Sequence, residues 1–281
     1  MNALVAPGPL PTPSLLFCPA DRPDRYAKAL AVADVVVLDL EDAVAAPRKS
    51  DARTALIQTP LDARRVIVRV NPSGTPDHAH DLEALKRTSY RRVMLAKTES
   101  REQVEALRYW QVIALCETPA GVLEAGRIAA ADSVIALMWG AEDLVAAMSG
   151  RSSRHASGSY RDVALFARSS VLLAAKANGR LAIDSVFVDF GDTQGLAAEA
   201  RDAVESGFDL KACIHPSQVE VVIEAYRPTA TQLEHARRVV EATRDGGVAR
   251  VDGQMVDGPL IRQARQTLSW LDRPRTSRSG R

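Results

Sequence analysis

The sequence is short of cysteine and of long apolar runs, and each shortage excludes a class of protein. Three cysteines among 281 residues are too few, and odd in number, for the disulfide framework of a small secreted domain. We expect Cys18, Cys116 and Cys213 to be reduced thiols in the core of a cytoplasmic protein, because they fall in or beside apolar runs. No apolar run approaches the roughly 18 residues that span a bilayer, so we expect no transmembrane helix.

An excess of charge of one sign is missing as well. Lys and Arg number 36 against 35 Asp and Glu, so the net charge of +1 gives no reason to expect nucleic acid or an anionic membrane as a partner. The N-terminal segment MNALVAPGPLPTP lacks the basic region and apolar stretch of a signal peptide, and its prolines predict an irregular arm. The 46% hydrophobic and 25% charged residues are typical of a soluble globular protein with a large core.

Short apolar runs with the length and β-branched content of buried strands alternate with helical patterns along most of the chain. The predicted strands are Leu15–Cys18, Val35–Leu40, Val66–Val70, Val93–Leu95, Val112–Cys116, Val134–Trp139, Ile183–Val188 and Lys211–Ile214. The helical patterns are Pro23–Ala33, Pro47–Ile57, Asp77–Arg87, Ser100–Tyr109, Pro119–Ala131, Tyr160–Asn178, Thr193–Ser206 and Gln218–Ala225. This alternation predicts an α/β fold, the TIM (β/α)8 barrel. An open doubly wound sheet is the alternative, although its Gly-rich first turn is absent.

The pattern divides the chain into three regions. Residues 1–228 are predicted to form the barrel domain, with the irregular arm at residues 1–13. Residues 229–271 follow the eighth strand and form a C-terminal helical extension, with helices at Thr231–Thr243 and Pro259–Trp270 around a Gly-punctuated loop, Asp245–Gly258. Residues 272–281, rich in Arg, Ser and Thr, are predicted to be a disordered tail.

The segment Val112–Leu144 reads as a strand, a helix and a second strand. The first strand ends at Glu117, and Glu142 and Asp143 come just after the second strand. A crossover of this kind makes the two strands parallel, so that both acidic ends emerge at the same edge of the sheet. Carboxylates far apart in the sequence are therefore expected to lie side by side, an arrangement that holds a hard divalent cation.

Charged and polar residues follow nearly every other predicted strand too. In a barrel these positions converge on the active site. They are Asp39, Glu41 and Asp42, Arg69 and Asn71, Lys97 and Glu99, Glu117, Glu142 and Asp143, Asp189, and His215. The acids are suited to surround a cation, whereas Arg69 and Lys97 are suited to face an anionic substrate.

A cation at this edge would have oxygen ligands, because neither His nor Cys has the spacing of a zinc site. Two carboxylates with waters and substrate oxygens suit magnesium, which keeps much of its hydration. The alternative is that Glu117 and Asp143 are salt-bridge partners or helix caps, and Glu117 does stand before Thr118-Pro119 at a predicted helix start. The spacing alone leaves both alternatives open.

Eight short motifs, in order along residues 15–261, resemble those of a known family. They are LLFCPADRPDRYAKAL, VVVLDLEDAVAAPRKSDAR, VRVNPSGTPDHAHDL, LAKTES, CETPAG, WGAEDL, CIHPSQ and GQMVD. Together they are similar to the citrate lyase β-subunit-like enzymes of the HpcH/HpaI aldolase and citrate lyase superfamily. The resemblance implies a TIM barrel with Mg²⁺ at its C-terminal mouth, and an enzyme that makes or breaks a carbon–carbon bond between an acyl-CoA and a small keto acid.

The resemblance also implies roles for individual residues. Glu117 and Asp143 match the metal ligands, with Glu117 also beside the substrate. Arg69 matches the substrate-binding and catalytic arginine. Asp257, in GQMVD, matches a catalytic aspartate that relatives insert into a neighbouring subunit's site. His215 and Pro216 match a segment that lines the coenzyme A cleft.

Other charged residues at the strand ends complete the predicted site. Lys97 is expected to contact the substrate or to neutralise the acid cluster. Glu41 and Asp42 are expected to hydrogen-bond to metal-bound water rather than to bind the metal directly. Glu142 is expected to point away from Asp143 if the segment is helical, and to support the site from behind the ligands.

The resulting hypothesis is a magnesium-dependent acyl-CoA lyase acting on a 3-hydroxyacyl-CoA such as malyl-, citramalyl-, citryl- or hydroxymethylglutaryl-CoA. Arg69 would stabilise an enolate oxygen, and Asp257 would transfer a proton at the α-carbon. A donated Asp257 makes a homo-oligomer, a trimer or hexamer, the expected assembly. Three alternatives are a class II pyruvate aldolase acting on free keto acids, the beta subunit of a multi-chain citrate lyase, and a non-catalytic acyl-CoA-binding protein.

Overall fold

Eight parallel strands close into a barrel in the computed structural model, which describes residue 10 and residues 13–244 and 246–272. The strands are β1 (Ser14–Pro19), β2 (Val35–Asp39), β3 (Val66–Val70), β4 (Arg92–Leu95), β5 (Gln111–Cys116), β6 (Val134–Trp139), β7 (Leu181–Asp184) and β8 (Leu210–Cys213). Each strand pairs with the next in the sequence, and β8 pairs with β1. The predicted TIM barrel is therefore confirmed. Most of the predicted arm and all but the first residue of the predicted tail lie outside the described residues.

The strands are apolar on both faces because both faces are buried. In β2, Val35 and Val37 belong to the cluster that fills the barrel, whereas Val36 and Leu38 pack outward under the helices. The filling is completed by side chains such as Ile67, Met94, Ile113, Leu115, Met138 and Ile183. The predicted core thiols fit this arrangement, since all three cysteines are free and buried.

Helices on the outside of the barrel connect the strands. They are α1 (Pro23–Val32), α2 (Lys49–Gln58), α3 (Pro76–Lys86), α4 (Arg101–Glu105), α5 (Pro119–Ala129), α6 (Ala141–Ala147), α7 (Asp162–Ala177), α8 (Thr193–Ser206) and α9 (Pro216–Tyr226). Several begin with proline in the first turn, where its missing N–H costs nothing. Thr118 caps α5 by accepting a hydrogen bond from the Gly121 N–H. Among the described residues, no helix is both long and apolar enough to cross a membrane.

The bounds predicted from the sequence are wrong for one strand and one helix. The seventh strand was expected at Ile183–Val188, but β7 lies at Leu181–Asp184. The apolar residues after Asp184 are buried by side-chain packing and not by pairing in the sheet. Phe187 packs in the outer core and Val186 against the barrel interior, so neither needs to pair in the sheet. The helix expected at Ser100–Tyr109 is limited to the short α4.

The predicted loop Asp245–Gly258 contains a β-hairpin, β9 (Ala249–Val251) and β10 (Gln254–Val256). Its two-residue turn, Asp252–Gly253, has positive φ at both positions, which is the conformation that Asp-Gly hairpin turns favour. That dipeptide is the signal from which the hairpin could have been predicted.

The C-terminal extension has an apolar core of its own. It consists of α10 (Ala230–Ala242), the hairpin and α11 (Gly258–Ser269), packed around Ala236, Val239, Val251, Val256, Ile261 and Ala264. Trp270, just after α11, packs against the outer layer of the barrel. A crevice between the two parts is lined by α8 and α9, the residues just before β8 and one side of α11. The extension therefore docks near the N-terminal end of β8, the end of the barrel opposite the strand termini that carry the charged residues.

Because the extension has a separate core, a chain that ends at Pro228 is expected to fold. The prediction is a cooperative thermal transition and a far-ultraviolet circular dichroism spectrum typical of an α/β protein, with a Tm a few degrees below that of the full chain. The full-length variant Trp270→Ala is the matched control, since it loosens only the docking contact. A truncated chain without a cooperative transition would show that the barrel needs the extension.

Candidate active site

Arg69 lies at the C-terminal mouth of the barrel, held in one orientation by its neighbours. Its Nε and NH2 donate to the two oxygens of Asp39 at 2.7 and 2.6 Å, a bidentate pair across β2 and β3. Asp39 is fixed in turn by the backbone N–H groups of Glu41 and Ala43. The Phe17 ring lies 5.0 Å from the guanidinium carbon. Arg69 is thus presented as a rigid cation with NH1 directed toward Glu41 at 3.1 Å.

Lys97 places a second positive charge within the cluster of acids. Its Nζ lies 2.5 Å from Glu41 Oε1, 3.3 Å from Asp42 Oδ2 and 3.2 Å from Asp143 Oδ1. Burial works to lower the pKa of Lys97, but Glu41 and the other carboxylates outweigh it and raise that pKa. Lys97 also has a φ of 49°, in the left-handed region that β-carbon-bearing residues rarely adopt. Strain of this kind persists only where surrounding contacts impose it, and it is concentrated at functional sites.

Glu117 is a deeply buried carboxylate at the mouth, and its surroundings do not favour a negative charge. Burial, with the charge of Asp143 as the next cause, raises the pKa of Glu117 to about 8. Its Oε1 accepts a hydrogen bond from the Lys97 backbone N–H at 3.1 Å. On its other side lies Gly140, where an added β-carbon would be 2.7 Å from Oε2. Glycine at position 140 is therefore what allows β6 to approach the Glu117 carboxylate.

Asp143 faces the same space from the first turn of α6, a helix that follows β6 after one residue. Its neighbour Glu142 turns away and accepts a hydrogen bond from Ser153 Oγ at 2.7 Å. This is the orientation expected for adjacent residues on a helix, and it makes Glu142 a support of the following loop.

The residues present fit a magnesium ion. Among the described residues, no three His, Cys, Asp or Glu side chains are grouped closely enough to hold an ion by themselves. The donor set is the pair Glu117 and Asp143, and magnesium is often held by one or two carboxylates with water and substrate supplying the rest. The two carboxylates are close enough for Asp143 to raise the pKa of Glu117, and a divalent cation relieves that repulsion.

The predicted site residues are thus brought together in part. Arg69, Lys97, Glu117, Asp143, Glu41 and Asp42 share the mouth. His215 caps α9 at the rim, where its ring stacks on Phe190 with centroids 5.1 Å apart, and Pro216 follows it in the first turn. Asn71 and Asp189 bond within their own surroundings, Asn71 to Asp81 of α3 and Asp189 to the backbone of its loop.

Asp257 lies in the extension, away from the other predicted site residues. It is exposed at the start of α11, and its side chain does not cap the helix.

The sequence offered little sign of the orienting role of Asp39 or of the contact between Gly140 and Glu117. Asp39 was one of many acids near strand ends. The signal that could have identified its role is its register, because Asp39 and Arg69 are partners in adjacent strands and face the same side.

Comparisons with known proteins agree with this geometry. The family model described as HpcH/HpaI aldolase/citrate lyase matches residues 13–216. The chain is 56% identical over 257 residues to the citrate lyase subunit beta-like protein of Mycobacterium tuberculosis H37Rv, covering 91% of this chain and 94% of that protein. It is 35% identical over 280 residues to a (3S)-malyl-CoA thioesterase of Cereibacter sphaeroides, covering 92% and 94%. A crystal structure of protein CitE from Mycobacterium tuberculosis in complex with magnesium, acetoacetate and coenzyme A matches with a TM-score of 0.89 and 55% identity, covering 92% and 97%.

The raised pKa of Glu117 predicts how the stability of the metal-free protein depends on pH. The folded protein keeps the Glu117 proton up to about pH 8, whereas the unfolded chain releases it near the ordinary value of 4.5. Unfolding therefore releases a proton between these values, and this contribution to stability falls by roughly 1.4 kcal/mol per pH unit as the pH rises. In the presence of a chelator, Glu117→Gln is expected to be less sensitive to pH than the wild type between about pH 5 and pH 8.

The measurement is the free energy of unfolding in urea at several pH values. Glu124→Gln, which removes a carboxylate from the adjacent helix α5, is the matched control and is expected to follow the wild type. Identical pH profiles for wild type and Glu117→Gln would contradict the prediction.

Proposed function

The chain belongs to the HpcH/HpaI aldolase/citrate lyase family, and from this membership and the barrel mouth we propose that it is a magnesium-dependent acyl-CoA lyase. The reaction makes or breaks a carbon–carbon bond between an acyl-CoA enolate and a small keto acid. The observation that carries the proposal is the pairing of two mutually repelling carboxylates, Glu117 and Asp143, beside the rigidly held Arg69. A cation would balance the two carboxylates, and an anionic substrate would balance Arg69.

Arg69 is assigned to the oxygen that gains charge during bond cleavage. When a 3-hydroxyacyl-CoA is cleaved, the hydroxyl loses its proton, the carbon–carbon bond breaks, and its electron pair moves to the thioester carbonyl as an enolate. A guanidinium fixed by Asp39 needs no reorientation as that charge develops, which is the basis of electrostatic catalysis. The Phe17 face further restricts the motion of the group.

Glu117 and Asp143 are assigned as the metal ligands. Magnesium bound there supplies Lewis-acid polarisation of the keto-acid carbonyl and orientation of its carboxylate. Glu117 is kept in place by the Lys97 backbone and by the approach of Gly140. Lys97 pairs with Glu41 and Asp42, and its positive charge opposes the rise in the Glu117 pKa to which Glu41 contributes.

The rim of the mouth is assigned to the coenzyme A part of the substrate. Phe190 and His215 form a stacked pair on the loops after β7 and β8, and Pro216 begins the helix that follows. These exposed, partly apolar groups suit the long pantetheine arm of a thioester.

Asp257 is assigned as the group that transfers the proton at the α-carbon, in the mouth of a neighbouring copy. Trp270 docks the far end of α11 against the outer layer of the barrel, and the crevice beside it is lined by the residues just before β8. Asp257 stands at the other end of this 12-residue helix, exposed and without a capping bond. In a homo-oligomer with shared active sites, this carboxylate would reach the barrel mouth of a neighbouring copy.

The metal assignment is tested by removing one ligand charge at a time. Glu117→Gln and Asp143→Asn are each expected to abolish cleavage, because the remaining carboxylate cannot hold the ion against water. The assay combines malyl-, citramalyl-, citryl- and hydroxymethylglutaryl-CoA with mass detection of acyl-CoA, keto acid and free CoA. Appearance of free CoA together with the intact hydroxy acid would indicate hydrolysis of the substrate's own thioester, the activity in the name of the thioesterase relative. Glu124→Gln is the control and is expected to be as active as the wild type.

Chelation of the wild type is expected to stop the reaction, and added Mg²⁺ to restore it. Full activity after exhaustive chelation would overturn the metal assignment. Turnover of free keto acids and aldehydes, with no turnover of any acyl-CoA, would support the pyruvate aldolase instead.

The shared site is tested by mixing two inactive variants. Asp257→Asn chains keep the metal ligands, and Glu117→Gln chains keep the donated carboxylate, so some mixed sites are complete. Random mixing in a closed oligomer is expected to restore roughly a quarter of wild-type activity per chain. Each variant alone, refolded in the same way, is the control. Mixed oligomers that form but stay inactive would show that Asp257 is not donated between chains.

A further inference from the structure

A buried ionic network lies between the barrel and its helices, on the outer side of β7 and β8. Asp184 ends β7 and Lys211 lies on β8, and both side chains are fully buried. Lys211 Nζ donates to Asp184 Oδ2 at 2.9 Å, to the Ser185 carbonyl at 2.8 Å and to Glu199 Oε1 at 2.9 Å. Arg168 of α7 donates to Asp184 Oδ1 at 3.0 Å. The charges are thus paired and hydrogen-bonded, which is what makes their burial tolerable.

The network extends to the end of β6 through Trp139. The indole Nε1 donates to Asp184 Oδ1 at 2.7 Å, and the Trp139 side chain is fully buried. Tyr160 packs edge-on against the indole and donates to Glu199 Oε1 at 3.1 Å. Burial works to raise the pKa of Asp184, but Lys211 and Arg168 outweigh it and hold that pKa below its ordinary value. Asp184 is therefore a fixed, ionised acceptor for the indole.

Trp139 is followed directly by the segment that carries Asp143. Gly140 lies against the Glu117 carboxylate, and the Ala141 N–H donates to Ser185 Oγ at 3.4 Å. Helix α6, which holds Asp143, has only seven residues, so it gains little stability from its own hydrogen bonds. Its position depends on what anchors its first turn: Glu142 and Asp143 are held by Ser153 and Lys97, and the backbone that leads into the helix is held from the end of β7 by Asp184 and Ser185.

We propose that Trp139 is a positioning residue whose hydrogen bond to Asp184 fixes the Gly140–Asp143 segment, and so sets the distance between the two magnesium ligands. The ionic network serves as a rigid support, since Lys211 and Arg168 prevent Asp184 from turning away. This inference rests on the proposed metal site. It adds that magnesium affinity depends on a residue that does not contact the ion.

The test is Trp139→Phe, which removes the indole N–H and keeps an aromatic ring against Tyr160. Trp110→Phe is the matched control, because Trp110 is also a core tryptophan but precedes β5, at the opposite end of the barrel. Mg²⁺ binding is measured by calorimetry on the full-length, metal-free proteins, and thermal unfolding is recorded for each. Trp139→Phe is expected to bind Mg²⁺ about tenfold or more weakly, the usual cost of losing a group that orients a metal ligand. Trp110→Phe is expected to match the wild type in affinity, even if its Tm falls.

A second variant covers the case in which Trp139→Phe does not fold. Ser185→Ala removes the acceptor of the Ala141 N–H without changing the charges of the network, and a severalfold loss of Mg²⁺ affinity is expected. Unchanged affinity in the folded variants, or equal loss in Trp110→Phe, would overturn the proposal while leaving the metal site intact. A wild-type protein that binds no Mg²⁺ would instead overturn the proposed function.

Discussion

The repulsion between Glu117 and Asp143 is the constraint on which the rest of the mouth depends. Two carboxylates brought together at the end of a barrel disfavour the folded state unless their charge is compensated or one of them is protonated. Burial first, and the charge of Asp143 second, raise the pKa of Glu117, so without a cation its protonated form is favoured. Such a pair is poorly suited to a purely structural role, because paired hydrophobic or oppositely charged residues would stabilise the fold better. Its presence therefore favours a binding function.

The positive charges near this pair are not interchangeable. Arg69 is committed to Asp39 through two hydrogen bonds, so its orientation is set before any ligand arrives. Lys97 is held by several carboxylates at once, and its single ammonium compensates charge without a fixed direction. This difference is consistent with a guanidinium that recognises a developing oxyanion and a lysine that balances the surrounding acids. Asp39 fixes the orientation of Arg69 because it accepts two hydrogen bonds from the guanidinium, whereas Glu41 contacts NH1 alone.

Much of the barrel could be predicted from the sequence, because strands buried on both faces are continuous apolar runs. Seven strands lie close to their expected positions. The seventh was predicted too far along the chain because Val186 and Phe187, which are apolar, are buried by packing outside the sheet. The gathering of acids at one edge could also be predicted, since it follows from parallel strands alone. What could not be predicted is which partner each charge takes. The buried pair of Asp184 and Lys211 reads as two ordinary polar residues until the register of β7 and β8 places them together.

The arrangement of the extension separates two chemical requirements that are hard to meet in one place. A metal-binding carboxylate must stay ionised beside a cation, whereas a group that transfers protons at carbon must hold and release its proton during each turnover. The positive charges of the mouth that stabilise an enolate would also lower the pKa of an acid fixed among them. A carboxylate carried on a separately packed unit, such as Asp257 at the start of α11, lies outside that set of positive charges. In the proposed oligomer, the proton donor of one chain would therefore meet the enolate in the mouth of the next, and contact between the two chains would keep water from the enolate.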